Sequence, residues 1–317
     1  MGTDKKDKFG LWSIVLLGIN SIIGTGIFLL PNRAYALMGP SSLLILLFDA
    51  FLAGCLALCF AEVAGFFSRN GGPYLYAKAA FGDFVGYEVG VLKLVVTIIA
   101  WAAMAVGFAT ALGAAFPFFA GDTMKNLIAA VLIGGLTIMN IAGVKISKIL
   151  NNLMTISKLV PLCVFIAVGL FFVNGSNFTP FVPTHMADGA FANAAITMFF
   201  AYTGFEAIAV AAEDFKDPKK DLPRGIILTM IIVTIIYMLV VGISIGILGP
   251  DLAVDKAPIQ TAFGRAVGPV GAYFILLGTL FSMGGINLAE SFIAPRACTS
   301  LACLLYTSPS PRDPKTS

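Results

Sequence analysis

Three ionisable side chains lie deep in otherwise apolar stretches and are the first candidates for chemistry: Lys93, Lys158 and Glu206. Counted from the expected cytoplasmic ends of their helices at 1.5 Å per residue, each sits roughly 10 to 14 Å from one membrane surface, so all three share a level. A charged group at that depth is costly to desolvate, and where one occurs it faces a partner or a watery path. Opposite signs at one level allow Lys93 and Glu206 to pair, closing the inner side of a site and separating when it opens. Such a buried pair need not stabilise the fold. Lys158 cannot lie outside the membrane, because the stretch from Leu159 to Val173 is too short to span it alone; a lysine snorkelling to the interface is the alternative. Asp49 is also deep, but no motif covers it, and Glu62 and Glu88 lie nearer the inner ends.

The second kind of chemistry is in the backbone. Gly24-Thr25-Gly26 interrupts the uncharged run from Leu11 to Leu30, which is long enough to cross a bilayer as one helix of about 20 residues. Two glycines around a β-branched residue make a poor helix interior. Peptide groups released from a helix inside lipid must find partners, so such interruptions survive where they line a cavity or hold a ligand. Close packing by small residues is the competing explanation. A second candidate interruption is Tyr202-Thr203-Gly204-Phe205-Glu206.

The elements that must position these groups are membrane helices. Hydrophobic residues make up 58% of the chain, charged residues only 12%, and mean hydropathy is +0.93, against about 25% charged in soluble domains. Apolar windows predict eight spans, near 11–30, 41–64, 84–113, 126–143, 151–173, 190–212, 225–248 and 268–293. Lys5, Lys6, Lys8, Arg69, Lys78, Lys145, Lys148, Lys216, Lys219, Lys220, Arg224 and Arg296 fall on one side of these spans. Only Arg33, Lys125, Lys256 and Arg265 fall on the other. The positive-inside rule puts the N-terminus in the cytoplasm. The net charge of +3 then reflects topology, and no basic face suggests a nucleic-acid partner.

The first apolar run exceeds a typical signal-peptide core and lacks a small-residue cleavage pattern, so it is expected to remain in the protein. The five cysteines have no metal-ligand spacing, and His185 falls in an expected outer loop, so neither a metal nor a cofactor is expected. Without clustered His, Asp, Ser or Cys at catalytic spacing there is no case for an enzyme, and no filter loop or polar helix face argues for a channel.

Two stretches repeat. Ala80-Phe-Gly-Asp-Phe-Val-Gly86 recurs as Ala262-Phe-Gly-Arg-Ala-Val-Gly268, and nearly the same offset carries Gly26 onto Gly204. Such self-similarity implies a duplicated unit. A unit of five helices is odd, so its second copy enters the membrane from the opposite side. In transporters with inverted repeats the site lies near the midplane, where paired interrupted helices meet. After Ala302 the text loses membrane periodicity, and residues 303–317 read as a non-native, adaptor-derived tail; the transporter domain is residues 1–302.

Four ordered motifs resemble the amino acid-polyamine-organocation permeases, which share the fold of the sodium-coupled leucine transporter. They are Asn20-Ser-Ile-Ile-Gly-Thr-Gly-Ile-Phe28, Gly71-Gly-Pro-Tyr-Leu-Tyr-Ala-Lys-Ala-Ala-Phe-Gly82, Phe200-Ala-Tyr-Thr-Gly-Phe-Glu206 and Glu213-Asp-Phe-Lys-Asp-Pro-Lys-Lys-Asp-Leu-Pro-Arg224. The resemblance implies an all-α membrane protein, an inverted-repeat helix bundle with helices 1 and 6 broken, of which eight of about twelve transmembrane helices are present. It implies a permease of the cell membrane, working by alternating access on an amino acid and coupled to protons. An exchanger for amino acids or polyamines, or a non-transporting sensor on the same scaffold, are the alternatives.

By this resemblance the N–H groups of Gly24, Thr25, Gly26 and Ile27 take the substrate carboxylate. Carbonyls of Ile22, Ile23, Phe200, Ala201 and Thr203, beside Gly204, hold its ammonium. Phe200 is a weaker cation-π partner than the tryptophan that guanidinium-binding relatives carry there, and no acid is placed to hold a cationic side chain, so a neutral substrate is favoured. Lys158 takes the place of the sodium ion of sodium-coupled relatives, with Ser282 as its neighbour in helix 8.

Overall fold

The computed structural model describes residues 8–67, 71–119, 121–141, 144–183, 186–255 and 257–304. Expectations for Lys5, Lys6, Arg69, His185, Lys256 and the tail from residue 305 onward fall outside these residues.

Among the described residues the chain is helical. The α-helices are α1 (Leu11–Ile22), α2 (Thr25–Leu29), α3 (Pro31–Met38), α4 (Ser42–Ala64), α5 (Pro73–Phe81) and α6 (Asp83–Ala115). They continue with α7 (Asp122–Ile141), α8 (Val144–Gly169), α9 (Ala190–Phe199), α10 (Pro218–Leu248), α11 (Pro258–Val267) and α12 (Pro269–Leu304). Between α9 and α10 the chain runs as tighter 3-10 helix over Phe200–Tyr202 and Phe205–Asp214. Extended pairing is limited, among the described residues, to one parallel bridge between Phe9 and Phe215.

Seven helices among the described residues are long and apolar enough to cross a membrane. The first of the eight expected spans is not one of them, because α-helical geometry stops at Ile22 and resumes only at Thr25. The second begins earlier than expected: Pro31 occupies the first turn of α3, where its missing N–H costs nothing, and the helical course runs on into α4.

The bundle is built around α1. From Ile14 onward most of that helix is buried, and it packs on α8, α10, α12 and the 205–214 segment. Apolar burial alone does not hold helices together in lipid; close packing does. Gly18 shows how: a β-carbon there would stand 2.6 Å from both the Ile208 and the Thr229 side chains, so only glycine allows that approach. Around the outside, α6 and α7 expose Leu92, Val96, Ile99, Val131 and Ile138, an apolar surface suited to acyl chains rather than water.

Two joints match. α5 ends at Gly82 (φ 88°, ψ −178°) and α6 follows; α11 ends at Gly268 (φ 90°, ψ −172°) and α12 follows. Each short helix opens on proline and each joint needs the positive φ that glycine alone adopts freely. The match sets Gly82 against Gly268, one helical turn later than the sequence repeat, which sets Gly82 against Gly264.

Candidate functional site at two facing helix interruptions

At the end of α1, Ile23 turns extended (φ −73°, ψ 98°) and Gly24 follows at φ −133°, ψ −138°. The carbonyls of Asn20, Ile22 and Ile23 therefore lose the donors four residues ahead that a continuous helix would supply. Inside a bundle such groups need replacements. Lys158 on α8 supplies one, its Nζ donating to Asn20 O at 2.9 Å and to Ile23 O at 2.6 Å. Ser282 on α12 donates its hydroxyl to Ile23 O at 3.1 Å. Tyr237 on α10 donates to Ile22 O at 3.3 Å and to Ala201 O at 2.9 Å. Lys158, Ser282 and Tyr237 are all fully buried.

The second interruption lies against the first. Thr203 is extended (φ −70°, ψ 153°) and Gly204 has φ 116°. A β-carbon on Gly204 would sit 2.6 Å from the carbonyl oxygen of Ser21, and one on Gly26 would sit 2.9 Å from Ala201, so the two segments meet backbone to backbone. A β-carbon on Gly24 would in turn meet the Ile286 side chain of α12 at 2.0 Å.

Four of the five carbonyls assigned to a ligand's ammonium from sequence have protein donors in this conformation. Ile22, Ile23 and Ala201 are met by Tyr237, Lys158 and Ser282 as above. Phe200 O accepts the N–H of Thr203 at 3.3 Å and its hydroxyl at 2.8 Å. The N–H groups at the start of α2 have no capping side chain from Gly24, and the first turn of any helix leaves its donors without intrahelical acceptors. Phe200, unlike Ala201, is half exposed.

Lys93 on α6 and Glu206 come together, with Nζ 3.0 Å from Oε1. The other carboxylate oxygen of Glu206 accepts the N–H of Gly204 at 3.0 Å. One side chain therefore joins the cation of α6 to the backbone of the second interruption. Glu290 on α12 interacts electrostatically with both Lys93 and Glu206.

Sequence reasoning missed three contributors. Tyr237 is the one aromatic residue of α10, a weak signal beside the hydroxyls of Thr229, Thr234 and Ser244 in the same helix. Asn20 donates from its side chain to Asn151 Oδ1 at 2.8 Å and to Gly285 O at 2.7 Å, tying α1 to α8 and α12. Glu290 lies in a stretch that no motif covered. Below the site, Phe9 and Lys216 close the bridge through Phe9 N to Asp214 O and Lys216 N to Phe9 O, both 2.9 Å. Arg296 bonds Asp214 and lies over the Phe292 ring.

Comparison with known proteins identifies the family. Residues 9–303 match the family model described as amino acid permease. The chain is 35% identical to an uncharacterized transporter of Mycobacterium tuberculosis over 93% of its own length and 66% of the relative's. It is 34% identical to the branched-chain amino acid permease BcaP of Bacillus subtilis, over 77% of this chain and 55% of that one. It is 28% identical to the serine/threonine exchanger SteT of the same organism, over 94% and 68%. The chain thus spans between about half and two thirds of the length of these relatives. Their names describe transporters rather than enzymes, and with seven apolar helices of spanning length the chain is a multi-pass membrane protein. It belongs to the amino acid permease family.

Proposed function

We propose that this chain forms the substrate-binding part of a secondary active transporter that moves a neutral amino acid across the plasma membrane by alternating access, coupled to a proton. The observation that carries the reading is the apposition of two helix interruptions at Ile23–Gly24 and Thr203–Gly204, with Tyr237 bridging Ile22 O and Ala201 O. Backbone of this kind inside a membrane suits a zwitterion, whose carboxylate and ammonium call for donors and acceptors side by side. We read α1 with α2, and α9 with the 205–214 segment, as the broken helices of an inverted repeat. The matched Gly82 and Gly268 joints support that reading.

In this scheme the N–H groups of residues 24–27 take the substrate carboxylate. Carbonyls of Ile22, Ile23, Phe200 and Ala201 become available to the ammonium as their present donors move, and that of Thr203 joins them. Lys158 is assigned proton coupling because its Nζ donates to carbonyls that a bound cation would engage, with Ser282 sharing Ile23 O. Lys93 and Glu206 form the inner gate. The charge distribution of the loops supports an N-terminus in the cytoplasm. The name of the branched-chain permease BcaP supports an apolar neutral substrate, and that of the exchanger SteT supports exchange as the second mode.

Uptake of labelled amino acids into proteoliposomes at two external pH values, with Lys158→Ala alongside, tests the reading. Uptake of neutral amino acids that rises with inward proton gradient, and loses that dependence in K158A, is expected. Absence of both uptake and counterflow for every amino acid tried would leave binding without transport and reject it.

A further inference from the structure

The buried face of α4 carries Ser42, Ile45, Leu46, Asp49, Ala53 and Ala57. Among these Asp49 is anomalous. It is 1% exposed, and neither carboxyl oxygen has a hydrogen-bond partner. Of the described Asp, Glu, Lys and Arg side chains, only Asp49 and Lys158 are fully buried. Lys158 is met by two carbonyl oxygens; Asp49 is met by nothing. An ionised carboxylate with neither counter-charge nor donor is among the costliest groups for a membrane interior, whereas the carboxylic acid is neutral.

What faces Asp49 is Tyr202. The Tyr202 hydroxyl donates to Leu46 O at 3.2 Å, and Leu46 lies three residues before Asp49, on the same helix face. Tyr202 also interacts electrostatically with Asp49, and the ring of Tyr237 stands behind it at 5.3 Å. Other elements packed on α4 bring no partner. α9 has no ionisable residue, and α3 brings Arg33 and Tyr35, neither bonded to Asp49. Glu206 is engaged by Lys93 and Gly204, Glu213 and Asp214 lie at the far end of their segment, and Lys219, Lys220, Asp221 and Arg224 open α10 about 20 Å before Tyr237.

Tyr202 immediately precedes the Thr203–Gly204 interruption. We propose that Asp49 is a proton-binding site separate from Lys158, whose single proton keeps α4 seated against Tyr202. When α4 parts from residues 200–204, the carboxylic acid gives that proton to water and becomes a carboxylate; on reclosure it takes one back. This rests on the transporter reading for the motion, so that two protonatable groups, one at each interruption, are linked to a single rearrangement.

Infrared difference spectroscopy over a pH series, on the full chain in lipid nanodiscs, tests this without any transport measurement. At neutral pH the wild type is expected to show the C=O stretch of a neutral carboxyl in a dry setting, lost in D49N and kept in E206Q and E290Q. Y202F is expected to shift its frequency or its titration midpoint. Should D49N not fold, D49E is expected to keep the band at a moved midpoint. A wild type without the band, or a band that survives D49N, overturns the site. A spectrum blind to Y202F overturns its link to the interruption. An intact Asp49 band in a protein that transports nothing would instead count against the transporter reading alone.

Discussion

The Nζ of Lys158 lies 2.6 Å from the carbonyl oxygen of Ile23, at the point where α1 loses its helical geometry. A protein donor thus completes the end of a helix that a continuous backbone would have completed itself. The side chain that does so is an ionisable lysine and is fully buried.

Replacing Lys158 by methionine keeps most of the stem and removes the donor. The Asn20 carbonyl then loses its Lys158 partner, while Ile23 keeps Ser282. An orphaned buried carbonyl costs about 1–3 kcal/mol, so thermal unfolding in detergent should fall modestly. Proton-driven uptake should be lost while exchange of internal for external substrate persists. Accumulation against a gradient at wild-type level in K158M would remove Lys158 from the coupling step.

Gly204→Ala should be far worse than its size suggests. The backbone at φ 116° is strained for any residue with a β-carbon, by about 1–3 kcal/mol, and that atom would press on Ser21 O at 2.6 Å. Loss of substrate binding is expected in equilibrium binding on purified protein, with reduced stability. An alanine variant of wild-type affinity would show that the close approach of the two segments is not needed.

Tyr237→Phe deletes one hydroxyl donor, shared between the carbonyls of Ile22 and Ala201, and little volume. At about 0.5–1.5 kcal/mol per neutral bond, a small drop in stability is expected. The larger effect should be on transport kinetics, because the bond pair ties Ile22 to Ala201 across the two interruptions. The KM should move while surface expression does not; unchanged KM and turnover would leave the bridge as packing alone.

For Lys93 and Glu206 the informative quantity is the coupling. Both side chains are largely buried, 18% and 26% exposed, so a double-mutant cycle should return about 1–2 kcal/mol. Lys93→Met should be more harmful than Lys93→Met with Glu206→Gln, since the single change leaves a carboxylate facing its site without its counter-charge. If the double variant is no better than the single, the pair is not acting as a unit.

Much of this site was legible in the residue order. Glycine in the middle of an apolar run announces released backbone at Gly24, and Gly204 repeats the message. Charges within apolar runs announce Lys93, Lys158 and Glu206. What local pattern cannot announce is who answers the released groups. Tyr237 is two hundred residues from Ile22 in the chain, and its neighbours in α10 give it the same apolar setting as any packing residue. The helical continuation from Pro31 into α4 was hidden for a related reason: Arg33 and Gly39 look like a loop, but proline in the first turn starts a helix. The repeat was visible as a string of matching letters. Its register differs by a turn at the Gly82 and Gly268 joints, because backbone geometry follows the positive φ and not the flanking alanine and phenylalanine.

The bridge between Phe9 and Phe215 has a mechanical corollary. Two backbone hydrogen bonds stitch the chain ahead of α1 to the turn beyond Asp214, so the start of the first interrupted stretch and the end of the second cannot swing apart without first tearing that seam. A fluorescent reporter near Lys8 would accordingly register any parting of these two stretches.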